Sequence, residues 1–379
     1  MTRTLALLLP AALACTAPLE AAPTGASSAD AGTGANAPSV SVMDLALAKT
    51  PVVFEVPRGA LGFSLAMWTP TGSERAVSGV RELRDPAGRS AVVDFVPQGG
   101  ARPLGQGVRG AAAVTSSWGI NDGPVAGPWS VLAEGPEGSS LRLLVQRTDD
   151  GQFHGGLMDL ELFVPDGLLV GEGDVRRPIG ANDAVGDPAI AARVDAFFAL
   201  LWVSVGISRG TVTTRAMEAR YAAAESGDAR AELLRQAAPS QPGTVAVALT
   251  NRMSYTDGAP LYGYTLGLPG FADPGGGTRA AIAVALYPES SAENDAVTML
   301  HELGHFAGLM HTSEDDGTDD LLLDTPTCAP KARACLDTNN LMAPSGPKNT
   351  PELTASQRRV MQSAPIYRAF PRVRGESSP

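Results

Sequence analysis

Three of the chain's four histidines fall inside the run His301-Glu302-Leu303-Gly304-His305-Phe306-Ala307-Gly308-Leu309-Met310-His311. On a helix, His301 and His305 stand one turn apart on the same face, so two neutral imidazole nitrogens can share one ion. Gly308 can take the backbone conformation that ends a helix, which lets the chain turn and return His311 as a third ligand. Three histidines leave a tetrahedral zinc ion one open position, held by water, and that is the catalytic rather than the structural arrangement. Glu302, next to the first ligand, stands beside such an ion and is placed to take a proton from that water. The spacing therefore predicts a zinc hydrolase site, with His301, His305 and His311 as ligands and Glu302 as general base. The fourth histidine, His154, in Gln152-Phe153-His154-Gly155-Gly156, reads as a loop or surface residue and not as a further ligand.

The same run matches H-E-x-x-H-x-x-G-x-x-H at every fixed position and so resembles the metzincin zinc proteases. Downstream, Asn339-Asn340-Leu341-Met342-Ala343-Pro344 is similar to the methionine turn of that family, which implies that Met342 forms an apolar floor beneath the metal. Between the two, His311-Thr312-Ser313-Glu314 and Leu323-Asp324-Thr325-Pro326 are similar to the pappalysin-type branch, with its ulilysin-like and cytophagalysin-like enzymes. The resemblance covers roughly residues 156 to 370, with its sharp motifs between 298 and 344. It implies a metalloendopeptidase acting on a protein or peptide laid along an exposed sheet edge above the helix. Several metzincins carry a tyrosine two residues after the turn methionine, where this chain has Pro344. A tyrosine contribution then comes from elsewhere, Tyr367 being the candidate, or is absent. In the same family's terms Asp324 is a structural or outer-shell group. The acidic run Glu314-Asp315-Asp316-Gly317-Thr318-Asp319-Asp320 does not match an EF-hand loop. It reads as a solvated loop, with structural Ca2+ the alternative that the resemblance implies. Two rival readings stand beside the protease: a zinc-binding, catalytically weak adhesion or binding lipoprotein, and a hydrolase of non-peptide amides.

Composition bounds the remainder. The formal net charge of −11 argues against a nucleic-acid partner. Apolar residues at 44% suffice for real cores, while 18% charged residues with 42 Gly and 30 Pro suggest a β-rich, turn-rich chain. At 379 residues, two domains are expected. Arg3, the apolar stretch Leu5 to Ala12 and the small-residue pattern Ala12-Leu13-Ala14 read as a signal peptide over 1–14. Cys15 follows at once, so Ala12-Leu13-Ala14-Cys15 resembles a bacterial lipobox. Either Cys15 is lipidated and tethers the chain to a membrane, or the protein is simply secreted. Both readings export it, to the bacterial cell envelope or beyond. Residues 15–40, dominated by Ala, Gly, Ser, Thr and Pro, are expected to be a flexible linker. No later stretch reads as long and apolar enough to span a bilayer, the run Ala196 to Gly206 being too short. Cys328 and Cys335 are left as a pair, expected to form a disulfide in an oxidising compartment. A second zinc on these two thiolates is the alternative, and it lacks partner ligands.

The elements that must position the site follow from periodicity. Residues 41–150 show alternating runs at Val52–Val56, Leu61–Trp68, Ala91–Val96, Trp129–Glu134 and Leu141–Arg147, spaced as in an all-β sandwich. Residues 151–370 read as an α/β (α+β) metzincin-like catalytic domain, followed by a tail over 371–379. Here Met158 to Val164 alternates as a half-buried strand, and Asp187-Pro188 starts a helix through Leu201. Val203–Val212, Thr244–Thr250 and Ala280–Leu286 read as strands. Ser290 with Glu293 caps the histidine helix, and Thr354 with Gln357 caps a last helix through Ser363. The Gly-rich stretch Tyr262–Gly277 is the expected upper rim of the cleft.

Overall fold

The computed structural model describes residues 37–68, 79–93, 96–97, 111–116, 124–171, 173, 175–184, 186–237, 239, 241–265, 281–312, 320, 322, 324–325, 339–344, 346–347 and 350–370. Alternating runs of the first half form two antiparallel sheets. One has the order β1 (Ser39–Leu45), β9 (Ser140–Arg147), β3 (Ala60–Trp68), β7 (Ala111–Ser116). The other runs β2 (Val52–Val56), β8 (Gly127–Glu134), β4 (Gly79–Arg84), β5 (Ser90–Val93), β6 (Val96–Pro97). The two-residue period sends Phe63, Leu65 and Leu143 of the first sheet to meet Phe54, Leu83 and Trp129 of the second in one core. Phe63 stands between Phe54 and Trp129 at centroid distances of 5.5 and 5.0 Å, edge to face with both. The expected single run Ala91–Val96 is instead two short strands, β5 and β6, paired antiparallel. The charged β4 (GVRELR) had no apolar alternation strong enough to announce it.

The second half is built on a five-stranded sheet. Its members are β10 (Gly156–Pro165), β13 (Ile207–Met217), β15 (Val245–Thr250), β17 (Gly263–Thr265) and β18 (Ala281–Ala285). In the order β13-β10-β15-β18-β17, the first four are parallel and β17 is an antiparallel edge. Two small pairs flank it: β11 (Leu168–Val170) with β12 (Arg177–Ile179), and β14 (Ala223–Ala224) with β16 (Arg252–Met253). One face packs on α2 (Pro188–Val205), α4 (Ala292–Ala307) and α5 (Ala355–Ser363), with the short α1 (Ala181–Ala184) at its margin. The other face carries α3 (Gly227–Gln236) and Tyr221 from a 3-10 turn. Because both faces are covered, the C-terminal part of β10 is buried throughout, not half-buried as alternation predicted. Buried Glu161 is accommodated there by Arg215, 3.2 Å from Nε to Oε1.

Helix boundaries follow their caps. Asp187 accepts from the N–H groups of Ala189 and Ile190, and Pro188 opens α2 as expected. The helix then runs past Leu201 to Val205, so the expected strand Val203–Val212 divides: three residues finish α2, Gly206 (φ 86°) ends it, and β13 starts at Ile207. β-Branched Val203 and Val205 mimicked a strand until the glycine was reached. At 18 residues α2 is long and apolar enough to cross a membrane by length and composition, which corrects the sequence reading. Its Ile190, Val194, Phe197, Leu201 and Val205 lie in the core, and its buried Arg193 donates from Nε to Asp295 Oδ2 of α4 (2.6 Å), while Trp202 and Val203 are exposed. Ser291, not Ser290, caps α4 by accepting from Asn294 N–H, while the Ser290 hydroxyl goes to Asp295 Oδ1 at 2.5 Å. Thr354 and Gln357 form the expected capping box of α5.

Candidate metal centre

Helix α4 lies between the edge of the sheet and α2, fixed at its first turn by the Arg193–Asp295 pair and along its length by buried Met299, Leu300, Leu303 and Phe306. That burial turns the opposite face, with His301 and His305, out of the core. Gly308 ends the helix at φ 107°, its N–H returning to Gly304 and His305 carbonyls, and Leu309 N–H also closes on Gly304 O at 2.9 Å. The reversal brings His311 back against the other two.

The three rings converge through their Nε2 atoms. His305 and His311 are 3.2 Å apart at Nε2, and His311 and His301 are 3.3 Å apart. Three nitrogens each about 2.0–2.1 Å from one tetrahedral ion must lie about 3.3 Å from one another. Among the described residues this is the one cluster of ligating side chains with that convergence. The far ring nitrogens are used otherwise: His301 Nδ1 is 2.6 Å from Leu341 O, and His305 Nδ1 is 2.8 Å from Leu309 O. A carbonyl can only accept, so Nδ1 carries the hydrogen in both rings and the Nε2 lone pair is left for a metal. Burial, with the neighbouring His301 and His311, drives His305 well below the ordinary histidine range and keeps it neutral. The donor set fits a zinc ion in number, geometry and protonation.

Met342 is fully buried, and its sulfur lies where a side chain on Gly304 would begin: a Cβ there would be 2.5 Å from Sδ. Met342 thus packs directly against the helix turn between the two histidines. A network the sequence did not disclose holds the turn in place. Asn340 donates to Gln357 Oε1 (2.8 Å), Gln357 Nε2 donates back to Asn340 Oδ1 (3.1 Å), and Met342 N–H donates to the same oxygen (2.8 Å). Asp324 accepts from Thr354 Oγ1 (3.0 Å) and Ser356 N–H (2.9 Å), so it anchors the start of α5, a structural role. The cap of α5 and the floor of the site are therefore one hydrogen-bonded unit.

Glu302 is buried, 5% exposed, beneath β17. Its Oε2 lies 2.5 Å from Thr265 Oγ1. Burial pushes the carboxyl up to about 8, against the lowering pull of the Thr265 hydroxyl. A divalent cation beside it favours the carboxylate and brings that value down again.

Tyr367 is not brought to this centre. It is buried, its hydroxyl donates to Gln362 O at 2.6 Å, and its ring packs edge-on against Phe153 at 5.5 Å. The tyrosine candidate is thereby corrected: its hydroxyl is committed to the end of α5. His154 pairs with Asp150 (2.9 Å) in an exposed loop, apart from the cluster. Cys15, Cys328, Cys335, most of the acidic run 314–320 and the Gly-rich stretch beyond Thr265 lie outside the described residues.

Neither a protein-family model nor a curated protein sequence matches this chain. Among solved structures it is similar to metalloproteinase-II from Bacteroides fragilis, at 13% identity and TM-score 0.33, over 56% of this chain and 54% of that one. The chain thus spans about half the length of that protein. It is also similar to archaemetzincin from Methanopyrus kandleri, at 19% identity and TM-score 0.29, over 56% of this chain and 91% of the other.

Proposed function

We propose that this chain is a zinc-dependent endopeptidase of the metzincin type, close to the pappalysin branch its sequence resembles. The observation that carries the reading is the convergence of His311 Nε2 on those of His305 and His301, at 3.2 and 3.3 Å, with Glu302 on the helix that bears the latter two. His301, His305 and His311 would hold the ion, with Leu341 O and Leu309 O fixing two of the rings. A zinc ion held there would supply a water of lowered pKa and would polarise the scissile carbonyl. Glu302 would accept a proton from the attacking water and deliver it to the leaving amine. Met342 keeps the underside apolar and dry. A substrate peptide would add as a strand along β17, which among the described strands is the sheet edge beside α4. The two antiparallel sheets from Ser39 to Arg147 form a β-sandwich accessory module, and the chain is exported, tethered through lipidated Cys15 or free.

Cleavage-site mapping on a peptide library tests this, using the purified protein beside Glu302→Ala with zinc content checked in both. Zinc-dependent cuts by the parent and none by the equally loaded variant are expected. A zinc-loaded parent that cuts nothing would overturn the protease reading and leave a binding role.

A further inference from the structure

Two residues of the edge strand, both outside the zinc-site motif, close on the general base. In β17 the two-residue period puts Gly263 and Thr265 on the side of Val284 and Ile282, which face α4, and Tyr264 on the side of Ala283. Tyr264 is held from behind by the buried Arg230 guanidinium, 5.1 Å above its ring. On the α4 side, Thr265 Oγ1 is 2.5 Å from Glu302 Oε2 and 3.1 Å from the Glu302 carbonyl. A Cβ on Gly263 would lie 2.3 Å from Glu302 Oε1 and 2.6 Å from its Cγ. One carboxylate oxygen therefore rests on a hydroxyl, and the rest of the side chain occupies the space where residue 263 has no side chain.

We infer that Thr265 is a positioning residue for Glu302, and that Gly263 supplies the cradle in which that carboxylate lies. The catalytic consequence rests on the protease reading above. A glutamate has three rotatable bonds, and only orientations that leave one oxygen on the attacking water are productive. A hydroxyl holding Oε2 selects among them, so the base need not be reordered at the moment of reaction. Threonine has a single proton to give, and the 2.5 Å contact with Oε2 takes it in preference to the 3.1 Å carbonyl. A purely structural reading makes Thr265 a tie between β17 and α4, with no influence on the base.

Thr265→Val, Thr265→Ser and Gly263→Ala, made in the full chain, separate these readings. Thr265→Val should lower kcat by about 10–100-fold, the effect of a misplaced reacting group. KM and zinc affinity should stay within about twofold, and Thr265→Ser should restore most of kcat. Gly263→Ala should lower kcat at least as far, since the new methyl would meet Glu302 Oε1, Cγ and Cδ and force that side chain out of its present place. A second measurement needs no activity: thermal unfolding of metal-free Thr265→Val, Glu302→Ala and the double variant. A shared contact makes the effect of Thr265→Val shrink or vanish in the Glu302→Ala background. An unchanged kcat in Thr265→Val, or strictly additive shifts in Tm, would overturn the proposal. If the zinc-loaded parent cleaves nothing while the Tm shifts are non-additive, the contact is upheld and the protease reading is what fails.

Discussion

Gly304→Ala sets two opposed effects against each other at one carbon. In a helix interior alanine is favoured over glycine by about 1 kcal/mol, so on an isolated α4 the change would stabilise. Position 304 faces the methionine turn, however, and the added Cβ would lie 2.5 Å from Met342 Sδ, 3.3 Å from its Cε and 3.4 Å from Leu309 Cδ1. Met342 has little room to retreat. It is fully buried, its N–H is bound to Asn340 Oδ1 and its carbonyl accepts from Thr312 N–H at 3.1 Å. Overpacking of this kind costs about 1–3 kcal/mol, which outweighs the helix gain and leaves a net loss of about 1 kcal/mol. For a domain of this size that lowers Tm by about 2–4 °C. The larger effect falls on the metal. Leu341, next to Met342, supplies the carbonyl that holds His301 Nδ1, so a displaced turn tilts a ligand. Loss of such an outer partner weakens metal binding by about 10–100-fold. Chelator competition for zinc, beside thermal unfolding of the metal-free protein, measures both. A variant as stable as its parent, or more so, with zinc affinity within about twofold would refute the claim that Gly304 exists to admit Met342.

Asn340→Ala removes all three hydrogen bonds of that side chain and leaves buried Gln357 Nε2 and Met342 N–H without them, while Gln357 Oε1 keeps Thr354 N–H. A loss of about 2–4 kcal/mol in urea unfolding is expected, and one under about 0.5 kcal/mol would show that the amide pair is dispensable. Gly62 on β3 lies against the far end of α5, where a Cβ would be 2.7 Å from Ser363 O. Gly62→Leu should therefore lower Tm, yet reduce zinc affinity less than Gly304→Ala, because the length of α5 separates this contact from the turn; an equal loss of zinc affinity would contradict that. Burial pushes the Asp159 carboxyl up, but the Arg368 guanidinium and Thr211 N–H outweigh it and hold it below the usual carboxylate range. Its contribution is thus present above the unfolded value of about 4 and is lost as pH falls through the lower folded value. Asp159→Asn should cost about 1 kcal/mol at pH 7, a partly exposed pair giving no more, with the difference closing below about pH 4. A gap that widens in acid would refute the assignment.

The zinc-site chemistry was legible in the sequence because it is local. Within eleven residues, helical periodicity sets His301 beside His305, and one glycine able to adopt positive φ returns His311. Caps are local too, so Asp187 and the Thr354–Gln357 box could be placed from residue types alone. Where apolar runs crossed a boundary, as at Val203–Val205, local pattern misled: β-branched residues looked like a strand, yet they finish α2 before Gly206, with Val205 in the core. Residue types alone gave no means to tell Ser290 from Ser291 as the cap of α4, since the difference is which hydroxyl Asp295 claims once Arg193 is beside it.

Everything that orients the site was decided by tertiary structure. Gln357 could be read as a capping residue, but not as the partner of Asn340, seventeen positions away. The stretch from Tyr262 was expected at the cleft's rim, but nothing in Gly263-Tyr264-Thr265 shows which of them reaches Glu302, thirty-seven positions on from Thr265. Tyr367, chosen for its residue type, proved to spend its hydroxyl on Gln362. The physical reason is the same in each case. Which residues can ligate or transfer a proton is a property of side-chain chemistry and helical spacing, both written along the chain. Which oxygen a hydroxyl reaches, and which methyl a glycine leaves out, depends on how strands and helices distant in sequence pack to within a few tenths of an ångström.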